Sequence, residues 1–391
     1  MSKTWVGSIV LALWLVTSVA RAEPIEVDGI ELQVPVGWSA AAKGKLTMLA
    51  PKAFKTRGIE VFAIPTMPEA TVEAVQKLLG SEKITVKKVG PLERNGWKGV
   101  AVIGQVATEK MPVDMDMLVI PVEKGAVMVI SFIQTNQDPV LRKANTDILL
   151  SARVSGPRIT VTFTPPKKGA GIPKDFADAM GKIAPALDAM LFLPGPLPIN
   201  IMSCGKINAF YSPGTHSISL CHELWDDFIT LFTTAGLDPA KAERVTRGVY
   251  LFTFFHEFGH ALVFELGLPI TGKGEDAADE LATLVLAAVG AKGHEAALDA
   301  ALWFDTMVAK GYKNPFWDEH SFNDQRSVAI TCLLYGADAK RYEPLMKAKK
   351  IPAPRLAKCS RDYGQRFTAW NKLLAPYHRK PKKAAAKQGQ Q

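Results

Sequence analysis

The stretch His256-Glu257-Phe258-Gly259-His260, followed by Glu275-Asp276-Ala277-Ala278-Asp279, constrains this chain more than any other. On an α-helix, residues four apart share a face, so His256 and His260 can turn two imidazoles towards one cation. Glu257 then sits beside the open coordination position, where a general base takes a proton from water activated by that cation. Two ligands do not hold zinc; a catalytic zinc site adds a third protein ligand and leaves one position to water. The fold must therefore bring an acidic residue to the histidine helix. Gly267 and Pro269 end that helix, Thr271–Gly274 turns the chain, and Glu275 opens an apolar-rich helix towards Gly290. The two helices can pack antiparallel. Glu275 and Asp279 share a face, and we assign Glu275 to Zn2+ and Asp279 to the far nitrogen of a ligand histidine, whose tautomer it fixes. Asp279 or Glu280 as third ligand is the alternative. The apolar run Val249–Phe255 suits a buried helix that floors a cleft. A glutamate buried there only as part of a core would be costly without a partner.

The ends of the chain speak to compartment and charge. Lys3, the apolar run Ile9–Val16 and Ala20-Arg21-Ala22 form a signal-peptide pattern over residues 1–22, with cleavage near Ala22 and a periplasmic or secreted destination. That run is too short for a good membrane anchor, and no later stretch reads as a transmembrane span. The formal charge of +9 is concentrated at the termini: Lys3 and Arg21 in the leader, and Arg379, Lys380, Lys382, Lys383 and Lys387 in a tail without acids. We read 379–391 as a disordered basic tail, and the rest of the chain gives no support for nucleic-acid binding. Cys204, Cys221, Cys332 and Cys359 in an exported chain read as disulfides. Of the three possible connectivities, the pairs nearest in sequence, Cys204–Cys221 and Cys332–Cys359, are favoured.

The pattern changes along the chain. Residues 23–157 alternate as strands at Ile25–Val27, Ile30–Val34, Ile59–Phe62, Leu118–Ile120 and Ala126–Ile130, with helices expected over Thr71–Leu79 and Asp138–Ser151. A linker is expected over 158–171, with Ile159–Phe163 as one further strand. From 172 to 378 the spacing is helical, interrupted by the apolar runs Ile199–Met202 and Ser217–Leu220, which can pair as strands. His320 follows Trp317-Asp318-Glu319 in a loop ahead of a helix containing Arg326. It either helps stabilise an oxyanion near the metal or joins a structural network with Asp318, Glu319 and Arg326. Tyr211 is either a second oxyanion donor or a core tyrosine. His216 and His222 read as surface residues and His294 as an ordinary residue at a helix start.

Gly37-Trp38 after Val34-Pro35-Val36, Leu49-Ala50-Pro51 and Ile148–Arg153 make the N-terminal part similar to secreted α/β sandwiches of the PsbP-like type, which implies a noncatalytic packing or binding module. Further on stand Cys204-Gly205-x-x-Asn208-Ala209-Phe210-Tyr211, Ile218-x-x-Cys221-x-Glu223-Leu224, the histidine motif, Gly274–Asp279, Asp318-Glu319-His320 with Gln325-Arg326, Cys332–Gly336 and Arg355-x-x-x-Cys359. Through these, residues 198–376 resemble a bacterial metallopeptidase family known mainly as a domain of unknown function, and the Glu-x-x-x-Asp pattern looks like the gluzincins. The resemblance implies His256, His260 and Glu275 as zinc ligands and Glu257 as base. His222 departs from the tyrosine usual at its position. The resulting expectation is an α+β protein: an N-terminal α/β sandwich, an antiparallel sheet with helices, followed by a mainly helical zincin-like domain with a small sheet. Its activity would be peptide-bond hydrolysis on a peptide or protein substrate, with a cell-envelope partner possible through the N-terminal domain. A noncatalytic envelope-binding protein on a degenerate peptidase fold, or a zinc amidase acting on peptidoglycan peptides, are the alternatives.

Overall fold

The computed structural model describes residues 23–379 apart from 28, 36–37, 44–45, 52–58, 65–69, 81–83, 108–112, 123–124 and 135–138. The leader over 1–22, Gly37 and the tail beyond Arg379 lie outside the described residues. The chain divides into two compact units: one ends at Pro157, with Pro194–Pro196 and Arg379 grouped with it, and the other comprises Arg158–Leu193 and Leu197–His378.

The first unit contains β1 (Glu23–Val27), β2 (Ile30–Val34), β3 (Trp38–Lys43), β4 (Leu46–Pro51), β5 (Ile59–Ile64), α1 (Val72–Leu79), β6 (Ile84–Arg94), β7 (Trp97–Val106), β8 (Val113–Val122), β9 (Gly125–Gln134), α2 (Pro139–Leu150) and β10 (Arg153–Val154). Strands β3 to β9 form a seven-stranded antiparallel sheet in the order β3-β4-β5-β9-β8-β7-β6, and β1-β2-β10 make a second, three-stranded one. Successive residues of a strand point to opposite faces. Leu118, Ile120, Val127 and Val129 accordingly pack with Ile30, Leu32 and Ile148 on one side. Met117, Val119, Met128 and Ile130 pack with Val75 and Leu79 of α1 on the other. Burial on both faces explains why β8 and β9 read as apolar runs rather than alternations. The hairpin β6–β7 escaped the sequence reading. Its turn is Asn95-Gly96, both at positive φ (50° and 77°), a pair suited to tight hairpins.

The second unit holds β11 (Ile159–Phe163), α3 (Lys174–Met190), β12 (Leu197–Met202), β13 (Ala209–Ser212), β14 (Ser217–Cys221), α4 (His222–Thr234), α5 (Pro239–Glu265), α6 (Gly274–Ala288), α7 (Ala291–Ala309), α8 (Asn323–Ala337), α9 (Ala339–Ala348) and α10 (Ala353–Leu374). Its sheet runs β11-β12-β14-β13, with β13 antiparallel at the edge. The segment expected as a linker thus contributes a strand, β11, paired in parallel with β12. Helix α9 was not foreseen; Pro344, its sixth residue, interrupts the helical pattern and leaves the Lys340 carbonyl without its i→i−4 donor. Disulfides join Cys204 to Cys221 and Cys332 to Cys359. His222, expected at the surface, is buried, with Nδ1 accepting from the Ile172 N–H at 3.0 Å and Nε2 bonded to the Thr164 carbonyl at 2.7 Å. His294 is buried as well, between the Tyr342 hydroxyl and the Ala287 carbonyl.

Helix α5 is the centre of this unit. Asp238 caps it by accepting from the Lys241 N–H, Pro239 occupies its first turn, and Gly267 at φ 58° follows its end. From Val245 to Leu262 it is buried almost all round, as a helix without a polar face must be. Gly259 lets α6 come close: a Cβ there would lie 3.1 Å from the Ala278 Cα. That contact falls between the two histidines on one helix and the two acids on the other.

Candidate metal centre

The antiparallel crossing of α5 and α6 places His260 opposite Glu275 and His256 opposite Asp279. The His256 and His260 Nε2 atoms are 3.1 Å apart. Glu275 meets both, with Oε2 at 3.0 Å from His256 Nε2 and Oε1 at 3.3 Å from His260 Nε2. His320 adds a third imidazole, its Nε2 2.9 Å from Glu275 Oε2. The donor set fits a borderline metal such as zinc: imidazole nitrogens and one carboxylate, aimed at a common space.

Behind His256 stands a chain of polar groups. His256 Nδ1 lies 2.8 Å from Asp279 Oδ1. Asp279 is in turn gripped by Arg326, whose Nε and second guanidinium nitrogen reach its two oxygens at 2.6 and 2.8 Å. With Nδ1–H donated to Asp279, the neutral imidazole keeps its lone pair at Nε2, facing the centre. Burial resists charge on His256, but the carboxylates of Asp279 and Glu275 outweigh it and push its pKa up to about 10. Burial likewise opposes ionisation of Asp279, yet Arg326 and His256 hold its pKa down to about 2. Glu275 is also buried enough to resist ionisation, and the hydrogen bonds of the three histidines hold it well below the carboxylate range. These carboxylates call for positive charge at Nε2, which a proton or a metal ion can supply.

Glu257 is buried beside the pair, and burial raises its carboxyl against the pull of His256 and His260. Its Oε2 accepts the Tyr211 backbone N–H at 2.8 Å. Because alternate residues of an edge strand point their backbone groups to the same side, the backbone of Ala209 in β13 points away from β14, as that of Tyr211 does, and Ala209 lines the cleft. The Tyr211 hydroxyl is bonded to Glu265 at 2.6 Å, and His216 Nδ1 lies 2.8 Å from the same carboxylate oxygen. Tyr211 therefore meets Glu257 through its backbone, with its hydroxyl committed elsewhere. Asp318 accepts the His320 backbone N–H at 2.8 Å and lies 3.0 Å from its Nδ1, leaving Nε2 turned to Glu275. Glu280, the other acid weighed as ligand, is bonded to Arg366 and to the Trp370 indole instead. The centre opens into a cleft of about 1040 Å³ lined by α4, α5, α7, β13 and His320. Sequence reasoning missed the Tyr211 N–H and the bidentate grip of Arg326 on Asp279. Only a strand signal at Ala209–Ser212 would have pointed to the former.

Residues 174–374, just over half of the chain, match the model of the family DUF4344, described as "Putative metallopeptidase". The chain belongs to that family. No curated protein matches it. Among solved structures, it is similar to the cyanobacterial PsbP protein CyanoP of Synechocystis, with 12% identity over 36% of this chain and 95% of that one and a TM-score of 0.28. It is also similar to LpqN, involved in cell envelope biogenesis of Mycobacterium tuberculosis, with 12% identity over 35% and 91% and a TM-score of 0.26. A protein from Bacteroides thetaiotaomicron shares 8% identity over 60% and 78%, with a TM-score of 0.26. At such scores these likenesses carry no argument about this chain.

Proposed function

We propose that this protein is an exported zinc-dependent peptidase of the gluzincin type, with His256, His260 and Glu275 as ligands and Glu257 as general base. The observation that carries the reading is the convergence of two Nε2 atoms and one carboxylate beside a buried glutamate at the floor of a cleft. A zinc ion held there would act as a Lewis acid, lowering the pKa of water from about 15.7 to about 7 and polarising a carbonyl. Glu257 takes a proton from the attacking water as its oxygen bonds to the scissile carbonyl carbon. It then passes that proton to the amine nitrogen as the C–N bond breaks. The Tyr211 N–H orients the Glu257 carboxylate for both transfers. The outward backbone of Ala209 offers an extended peptide a hydrogen-bonding edge. His320, protonated on both nitrogens between Asp318 and Glu275, would turn its Nε2–H from Glu275 to the oxyanion once that carboxylate is held by zinc. Two disulfides and the signal-peptide pattern support export.

Elemental analysis of the purified mature protein tests the site. About one zinc per chain is expected, and Glu275→Ala should lose it. A parent protein that stays empty after refolding with zinc overturns the reading.

A further inference from the structure

One end of the cleft is not used by the chemistry above. On α4, Leu224, Asp227 and Phe228 fall at i, i+3 and i+4 and face the cleft together. Trp303 and Met307, four apart on α7, form the facing wall, with the Phe228 and Trp303 rings edge to face at 5.0 Å between centroids. Phe252 closes the floor one helical turn before His256, so the recess lies about 5.4 Å along α5 from the metal residues. That is the reach of a side chain next to a scissile bond.

The recess is walled by apolar side chains, with one carboxylate, that of the exposed Asp227, at its rim. Glu257 has the Tyr211 N–H, Glu275 has its histidines, and the neighbouring Asp226 accepts the Gly171 N–H at 2.9 Å. Asp227 alone among the carboxylates lining the cleft has no hydrogen-bond or ion-pair partner among the described residues. We infer that this recess is a specificity pocket for an arginine or lysine side chain of the substrate, with Asp227 as its counter-charge. The inference rests on the peptidase reading and narrows its substrate class.

The chemistry of the walls decides between a cationic and a purely aliphatic guest. Leu224, Phe228 and Met307 can cover the methylene stem of a long basic side chain. The partly buried Trp303 ring attracts a cation, most strongly where water is excluded. A leucine or phenylalanine side chain would fill the same walls but bury the Asp227 carboxylate without a partner, at a desolvation cost. Asp227 is exposed to solvent at the mouth of the recess, and partial desolvation by the helices around it raises its carboxyl, with no charged neighbour offsetting the shift. A guanidinium supplies the missing partner and a charge-assisted hydrogen bond.

The test uses the full-length mature zinc protein and paired peptides in which arginine is replaced by citrulline, its neutral isostere. Cleavage should favour arginine by at least about tenfold, the scale of a hydrogen bond to a charged group, and Asp227→Asn should bring that ratio close to one. In parallel, calorimetry on the inactive Glu257→Gln protein measures binding of N-acetyl-argininamide against N-acetyl-citrullinamide, with the same preference expected. Cleavage without an arginine preference overturns the pocket and leaves the peptidase reading intact. Selective binding of the arginine probe with no cleavage of any peptide overturns the peptidase reading and keeps the recess as a cation site. Neither cleavage nor selective binding overturns both.

Discussion

Glu31 in the first unit and Glu275 in the second are both largely withdrawn from water, and the groups that face them differ in kind. Glu31 is met by two guanidinium groups: wholly buried Arg153, with Nε at 3.0 Å, and Arg379 at 2.9 Å on its other oxygen. Arginine keeps its proton at any ordinary pH, so that carboxylate is permanently balanced and has nothing to offer a ligand. Glu275 is met by the imidazoles of His256, His260 and His320, which can hold a proton or yield a lone pair. The same need for positive charge is answered by a fixed partner in one place and an exchangeable one in the other. Only the second can become a metal site.

Four experiments can break or sharpen this contrast. The largest effect belongs to Glu257→Gln, which should cut peptide turnover by about 10²–10⁴-fold while zinc stays bound; full activity in that variant would remove Glu257 from the base role. Next is Arg153→Ala, which should destabilise the protein by about 3 kcal/mol in denaturant titration, because a buried carboxylate loses its main partner. Replacing the pair together, as Glu31→Leu with Arg153→Met, should recover most of that loss. If the single variant costs less than about 1 kcal/mol, the range of exposed pairs, Glu31 is not the fixed, structural counterpart drawn above.

Smaller is the effect of Asp279→Asn, which weakens the control of the His256 tautomer and should lower zinc affinity about 10–100-fold in a chelator competition. The smallest is the pH dependence of that affinity. With the His256 pKa at about 10 in the metal-free protein, zinc must displace a proton. Apparent affinity should therefore rise about tenfold per pH unit through neutrality and fall as the solution is acidified. The sign for metal-free stability is the opposite. The proton on His256 stabilises the fold fully below the ordinary histidine value of 6.5, and that contribution is lost as pH rises through about 10. An affinity independent of pH would mean that His256 is not the group zinc displaces.

Much of the centre was legible because its logic is local. The four-residue spacing of His256 and His260, and of Glu275 and Asp279, follows from helical periodicity alone. Gly267, Gly274 and the intervening polar turn mark where one helix stops and the next begins. The apolar runs of β8 and β9 marked those strands, whereas the Asn95-Gly96 turn between β6 and β7 went unread although its signal is also local. What local pattern could not supply is pairing across long separations. Tyr211 and Glu257 lie 46 residues apart, and Arg326 and Asp279 lie 47 apart. Those contacts depend on how an edge strand and a third helix are packed against the pair.

The amino-acid order by itself determined that two imidazoles and two carboxylates would occupy matching faces of consecutive helices, since backbone hydrogen bonding imposes that period on any helix. Tertiary structure alone decided which nitrogen of His256 faces inward, which hydrogen bond holds Glu257, and that Asp227, at the exposed rim of the aromatic recess, has no partner among the described residues. Those outcomes turn on side chains far apart in the chain competing for the same few hydrogen-bond partners, and only close packing settles which of them meet.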